Sequence, residues 1–290
     1  MADPRLTPAR AHIAASHLKG SVTADRFSDG TAQRVVTNIA PIMREPSEQA
    51  ARETELLFGE DVVTYEEANG WSFIQAKQDG YAGYVQSKSL ALPLAPSPAS
   101  GKGNVTNPPT HKVRTLRAYI FSQPDIKSPP IHLISLEAPL QVKAVEGRFA
   151  QLAEGGYVVA DHLREIEHYA DDFVAIAQSF LGTPYLWGGR SSFGLDCSAL
   201  VQLSLAACGV KALRDTDMQE NSLGQHIDDK SARLRGDLVF WKGHVAIVID
   251  DHQIVHANGT AMMVSIDPLT EFCDKVRAES GEITSIKRVV

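Results

Sequence analysis

Cys197, His244 and His256 are the residues whose types and spacing could do chemistry. Cys197 lies in GLDCSALVQLSLAACG, residues 194–209, between a Gly-Leu-Asp turn and an almost wholly apolar run. A helix that begins just after Asp196 puts this thiol in its first turn. There the unpaired N–H groups and the positive end of the helix dipole favour a thiolate. A nucleophilic thiol also needs a base, and a group that orients the base. His244 opens the strand-like run HVAIVI, and His256 lies in QIVHA. Suppose these runs form a hairpin turning at 250–252, with Ile249 opposite Gln253. His244 then faces Asn258 and Ala246 faces His256, and the two histidines share one side of the hairpin. As diagonal neighbours they stand roughly 7–8 Å apart at the backbone. A slip of one residue sends them to opposite faces. In the favourable register His244 is the base, and His256 fixes its tautomer as the carboxylate does in a Ser-His-Asp triad.

Each residue has a plainer reading. A cysteine opening an apolar helix is also what a core thiol looks like, and a histidine at a strand end is often structural. Cys, His and His can bind zinc, but no fourth ligand is evident and the spacing matches no common site. Cys208 reads as core, and Cys273 in TEFCDK has no partner chemistry. Residue types and spacing alone leave catalysis and a structural role both standing. No metal or organic cofactor is expected.

The elements that must position these residues can be read around them. In DDFVAIAQSFLG the apolar residues Phe173, Ile176, Ala177, Phe180 and Leu181 fall on one helical face, with Asp171 or Asp172 as N-cap and Gly182 as stop. TPYLWGGRSSFG is a Gly-rich loop. Residues 197–208 are apolar on every side, so that helix should be buried, with Gly209 ending it. DLVFW, HVAIVI and QIVHA read as strands. The expected C-terminal fold is α+β: a helix carrying the cysteine against an antiparallel sheet carrying the histidines.

The N-terminal half has a different texture. Residues 35–92 and 113–163 form a weak repeat of short β-rich runs, VVTY and WSFIQA in one, LQVKAV and FAQLA in the other. Each has a glycine near a bend (Asn69-Gly70, Glu146-Gly147) and ends in Gly-Tyr, a short strand and a leucine. Two tandem small β-barrels fit this spacing. The expected organisation is an N-terminal arm at 1–34, a first barrel at 35–92, a Pro/Gly/Ser-rich linker at 93–110, a second barrel at 111–165 and the cysteine domain at 166–290.

Composition narrows the class. The 290 residues carry a formal net charge of −7, which argues against general nucleic-acid binding and against docking on an anionic membrane. The N-terminus has no uninterrupted apolar core of a secretory signal, and no apolar run approaches the ~18 residues of a membrane span. The three cysteines are odd in number and lack C-x-x-C spacing. A reduced, cytoplasmic protein is the expectation; the oligomeric state stays open.

FLGTPYLWGGRSSFGLDCSALV, followed by GDLVFWKGHVAIVI and IVHANG, resembles the NlpC family of papain-like cysteine peptidases. The resemblance spans roughly residues 170–288. It implies Cys197 as nucleophile, His244 as base and His256 as the polar third residue. It also implies an oxyanion site at the backbone N–H of Cys197, helped by the Tyr185 hydroxyl. The implied reaction is cleavage of bacterial cell-wall peptides at γ-D-Glu bonds. Two bacterial SH3-like barrels ahead of such a domain are similar to peptidases that recycle short muropeptides in the cytoplasm. That subgroup takes a free N-terminal L-Ala and releases L-Ala-γ-D-Glu. By this likeness Asp196, with Ser198 in the same motif, and Asp215 and Thr216 in RDTDMQ meet the substrate. Tyr81 and Glu53 from the first barrel close the pocket, with Glu45 and Glu48 as alternatives to Glu53. Other readings are an exported wall endopeptidase, a papain-like amidase or acyltransferase, and a binding module with an inert cysteine domain. The second barrel lacks a counterpart of Trp71 and carries the insert DIKSPPIH, so it reads as a spacer. Substitutions on its exposed face should leave turnover unchanged in a peptide-cleavage assay.

Overall fold

The computed structural model describes residues 3–93, 108–228 and 232–289. Most of the expected linker lies outside the described residues. The chain divides into two compact units, Met1–His168 and Tyr169–Val290. Among the described residues no helix is long and apolar enough to cross a membrane.

The N-terminal unit is built from short antiparallel strands. Its first sheet has seven, in the spatial order Arg52–Leu57, Ile39–Met43, Ala82–Gln86, Trp71–Ala76, Asp61–Ala68, Thr31–Val35 and Leu90–Ala91. The strand Thr31–Val35 begins inside the segment expected to be an arm, so the sheet starts earlier than the composition suggested. Ahead of it, Ile13 and Ala15 pack into the cluster of Tyr65, Phe73 and Tyr84. Asn69 and Gly70 both have positive φ and turn Asp61–Ala68 back onto Trp71–Ala76. A second group of strands follows: a five-stranded sheet and a three-stranded sheet between His111 and Glu165. The repeat is visible in both groups. Ala82–Gln86, a 3-10 turn and Leu90–Ala91 in the first match Tyr157–Val159, a 3-10 turn and Leu163–Glu165 in the second.

The C-terminal unit is α+β. Helix Phe173–Ser179 starts at Asp172, whose side chain accepts from the Val174 and Ala175 N–H groups at 2.9 and 3.1 Å. Helix Cys197–Ala207 is buried on nearly every residue, as its uniformly apolar sequence requires. Cys208 caps its C-terminus and is partly exposed. The six-stranded antiparallel sheet runs in the order Gln225–His226, Ser285–Arg288, Leu238–Trp241, His244–Val248, Gln253–Asn258, Met263–Pro268. Helix Leu269–Ser280 follows its edge strand, and Cys273 packs beside the core of Val239, Trp241, Val248 and Phe272. The Cys197 helix contacts the two histidine strands. Pairing of Ile247 with Val255 and Val248 with Ile254 sets the hairpin register. It is the register that keeps His244 and His256 on one face.

The position of the thiol therefore depends on how well this helix is packed. Leu203 in its middle is fully buried. Leu203→Ala should cost about 2–5 kcal/mol through lost burial and a residual cavity, read as a lowered urea midpoint by tryptophan fluorescence.

Candidate active site

Asp196 is the N-cap of the cysteine helix, and its carboxylate is heavily used. Oδ1 accepts from the Ala199 N–H at 2.9 Å, the Ser198 hydroxyl at 3.1 Å and Arg214 Nη1 at 2.9 Å. Oδ2 accepts from the Gly188 N–H at 3.0 Å and Arg214 Nη2 at 2.7 Å. Arg214 is 1% exposed and also donates to the Gly189 carbonyl at 3.0 Å and to Ser198 Oγ at 2.9 Å. Such a two-pronged guanidinium–carboxylate pair fixes direction as well as distance. Asp196 and Ser198, expected to meet the substrate, are thus also tied into the fold. With five donors on its two oxygens, Asp196 holds together the helix start, the Gly-rich loop and Arg214. The Ser198 hydroxyl is spent inside the same cluster.

The glycines of the WGG loop have steric reasons. Gly188 has φ 69°, and a Cβ on Gly189 would fall 2.6 Å from the Gly194 carbonyl oxygen. Trp187 between them and Tyr185 is 72% exposed. Tyr185 is half-buried, and its backbone N–H donates to the Met262 carbonyl at 2.9 Å. Burial, then the nearby Cys197 and Asp196, push the Tyr185 phenol well above its ordinary range. It stays a hydroxyl donor at any working pH.

Cys197 is buried at the first turn of its helix. Its sulfur lies 3.8 Å from Thr216 Oγ1 and takes a hydrogen bond from the Val245 backbone N–H. Burial first, and then Asp196 beside it, push the thiol up to about 11, against the pull of Val245, Thr216 and Arg214. The thiolate expected from the helix dipole is therefore not the resting state, because desolvation outweighs the dipole. Thr216 touches the Cys197 thiol. Asp215 is the half-buried N-cap of helix Thr216–Ser222. Gln219 ties this helix to the cysteine helix, donating to the Ser198 carbonyl at 2.8 Å and the Leu213 carbonyl at 2.9 Å.

His244 Nε2 stands 2.8 Å from His256 Nδ1. His256 Nε2 stands 2.9 Å from Asp267 Oδ2 and 3.1 Å from Asn258 Nδ2. Trp241 and Phe272 pack against the His244 ring, and Phe272 packs edge-on to His256 with ring centres 4.3 Å apart. Burial, reinforced by His256, pushes His244 down to about 3, and burial likewise lowers His256. Thiol and imidazoles are uncharged in this geometry, the state from which a base can take the thiol proton.

Tyr81 and Glu53 lie in the other unit. The buried Tyr81 hydroxyl donates to Glu53 Oε2 at 3.4 Å. Arg44 also donates to Glu53. With Pro4, Arg5, Arg10 and Ala82 these residues line a cavity of about 300 Å³. Of the alternatives, Glu45 is exposed, and Glu48 accepts from Gln86 Nε2 at 2.7 Å. Glu53 is thus already neutralised by a guanidinium, which the sequence did not indicate.

Comparison with known proteins agrees with this geometry. Residues 182–277 match the NlpC/P60 family, and residues 42–90 match the bacterial dipeptidyl-peptidase SH3 domain. Residues 182–277 thus form an NlpC/P60 domain. Dipeptidyl-peptidase 6 of Lysinibacillus sphaericus is 28% identical over 82% of this chain and 91% of its own length. The γ-D-glutamyl-L-lysine dipeptidyl-peptidase of Bacillus cereus is 26% identical over 75% of this chain and 70% of its own. In fold, a crystal structure of an NlpC/P60 family protein from Bacillus cereus superposes with a TM-score of 0.74, at 20% identity over 89% of this chain and 99% of that one.

In this NlpC/P60 domain two contributors escaped the sequence reading, Arg214 and Asp267. Arg214 stands in RDTDMQ, and its only signal was the motif itself. Asp267 lies on an edge strand that was not read. Arg214→Met leaves Asp196 as a buried carboxylate without its cation, and should cost about 3–5 kcal/mol of stability in urea unfolding. Arg214→Lys, which cannot make the two-pronged pair, should recover only part of it.

Proposed function

We propose that this peptidase hydrolyses the γ-D-glutamyl–diamino acid bond of short, free cell-wall peptides in the cytoplasm. Its substrate carries an unblocked N-terminal L-Ala, and it releases L-Ala-γ-D-Glu. The observation that carries this reading is the pairing, in one chain, of a Cys197–His244–His256 site with an SH3 domain of the dipeptidyl-peptidase kind. Relatives with a dipeptidyl-peptidase name align over both parts of the chain.

The chemistry follows from the residues. Cys197 Sγ attacks the γ-carbonyl carbon of D-Glu while its proton passes to His244. The resulting oxyanion is held by the Cys197 backbone N–H and the Tyr185 hydroxyl. His244 then gives its proton to the departing diamino-acid nitrogen, leaving a thioester. Water, deprotonated by His244, opens the thioester and restores the thiol. No part of the cycle calls for a metal.

Selection of a free amine needs carboxylates that an N-acyl group cannot satisfy. Asp215 is the carboxylate of the cysteine domain assigned to this. Tri- and tetrapeptides fit the reading, and cross-linked or N-acylated stems do not.

L-Ala-γ-D-Glu-meso-diaminopimelate, its N-acetylated form and the L-Lys analogue, each followed by mass spectrometry, test this. The free peptides should yield L-Ala-γ-D-Glu, the acetylated one should react roughly 100-fold more slowly or less, and Cys197→Ala should be inert. Equal cleavage of the acetylated peptide would replace the amine-selective reading with a wall-type endopeptidase. No cleavage of any peptide would overturn both.

A further inference from the structure

We propose that Asp267 is a positioning residue that sets every proton in the histidine relay, leaving Nδ1 of His244 bare to receive the thiol proton. The inference rests on the peptidase reading of Cys197 and His244, and extends it by one residue that neither spacing nor motif marks.

The argument begins at the outer end. Asp267 is on the edge strand Met263–Pro268, with its side chain 39% exposed. Burial works against its charge. Hydrogen bonds from His256 and Ser265, with Lys275 nearby, outweigh that and hold the carboxyl below its ordinary range. At neutral pH it is a carboxylate, which can only accept. His256 Nε2 stands 2.9 Å from Oδ2. Without a proton, Nε2 would set a lone pair against that oxygen, so Nε2 carries the proton.

Asn258 is the one competitor, since its Nδ2 lies 3.1 Å from His256 Nε2. Its amide is oriented by Oδ1, which accepts from the Ala261 N–H at 2.7 Å. Nδ2 has two oxygen acceptors for its protons, one nearer than His256 Nε2 and one charged. Ser265 Oγ is at 2.8 Å and Asp267 Oδ2 at 3.4 Å. Ser265 Oγ in turn donates to Asp267 Oδ2 at 2.8 Å. Asn258 and Ser265 thus hold the carboxylate and leave the Nε2 proton to it.

The rest follows one proton at a time. Burial keeps His256 neutral, so a proton on Nε2 leaves Nδ1 bare. Nδ1 then accepts from His244 Nε2 at 2.8 Å, which places the single proton of neutral His244 on Nε2. Nδ1 is the remaining nitrogen of His244, and it carries the free lone pair. His256 is fully buried, so water does not compete for either of its bonds. An amide in place of the carboxylate can present its NH2 to His256 Nε2. Every tautomer then reverses, and His244 Nδ1 carries a proton it should be receiving.

Long-range 1H–15N spectra of the full-length protein, read for the histidine rings, distinguish the tautomers without substrate. The wild type should show Nε2–H forms for both His244 and His256. Asp267→Asn should shift them toward Nδ1–H and lower kcat roughly 10- to 100-fold with KM little changed. Asp267→Glu should recover the wild-type tautomers and part of kcat. A wild-type His244 protonated at Nδ1, or an Asp267→Asn protein with unchanged tautomers and kcat, would overturn the inference. The spectra need no peptide. Failure of wild-type cleavage with Nε2–H tautomers in place would therefore count against the proposed reaction and not against the relay.

Discussion

The buried pair of Asp196 and Arg214 is the constraint on which the catalytic unit is arranged. A carboxylate with so little exposure is tolerable only when its charge is matched and its lone pairs are filled. Filling them pulls four segments to one point: the turn before the nucleophile, the first turn of its helix, the WGG loop, and the RDTDMQ segment. The thiol, Thr216 and Tyr185 are placed as a consequence. Asp215 and Thr216 follow Arg214 directly in sequence, so the residue that anchors the nucleophile also fixes where those two can reach.

Around this brace the site is dry. Burial raises the thiol and lowers both imidazoles, so the resting groups are neutral. Neutrality removes the cost of keeping an ion pair in a poorly solvated site until a substrate carbonyl is there to use it. It also makes proton location decisive, because a neutral imidazole has one nitrogen to offer as a base. Trp241 packs on the His244 ring and Phe272 on both rings. The N-terminal unit works with charge in a different way. There Glu53 is paired with an exposed arginine rather than a buried one.

Much of the catalytic unit was legible in the sequence because its elements are locally consistent. An apolar run with no polar face can only be a buried helix, and the histidine strands alternate clearly enough for their register to be proposed. The repeated Gly-Tyr, strand and leucine endings disclosed the tandem β architecture. Illegible parts share a cause, which is that they depend on pairing between distant residues. The strand Thr31–Val35 lacks a pattern of its own and is recruited by Asp61–Ala68. Asp267 looks like any acidic residue near a strand end until its strand pairs His256 with Ser265.

The sequence by itself put Cys197 at a helix start and His244 and His256 on one hairpin, since each sits where a local element must put it. Helix N-terminus, strand start and same-face spacing are short-range facts. The tertiary structure alone decided the burial of that set and the network around Asp196. Both turn on desolvation and on how many donors converge on one oxygen, and neither quantity exists until the chain has folded around them.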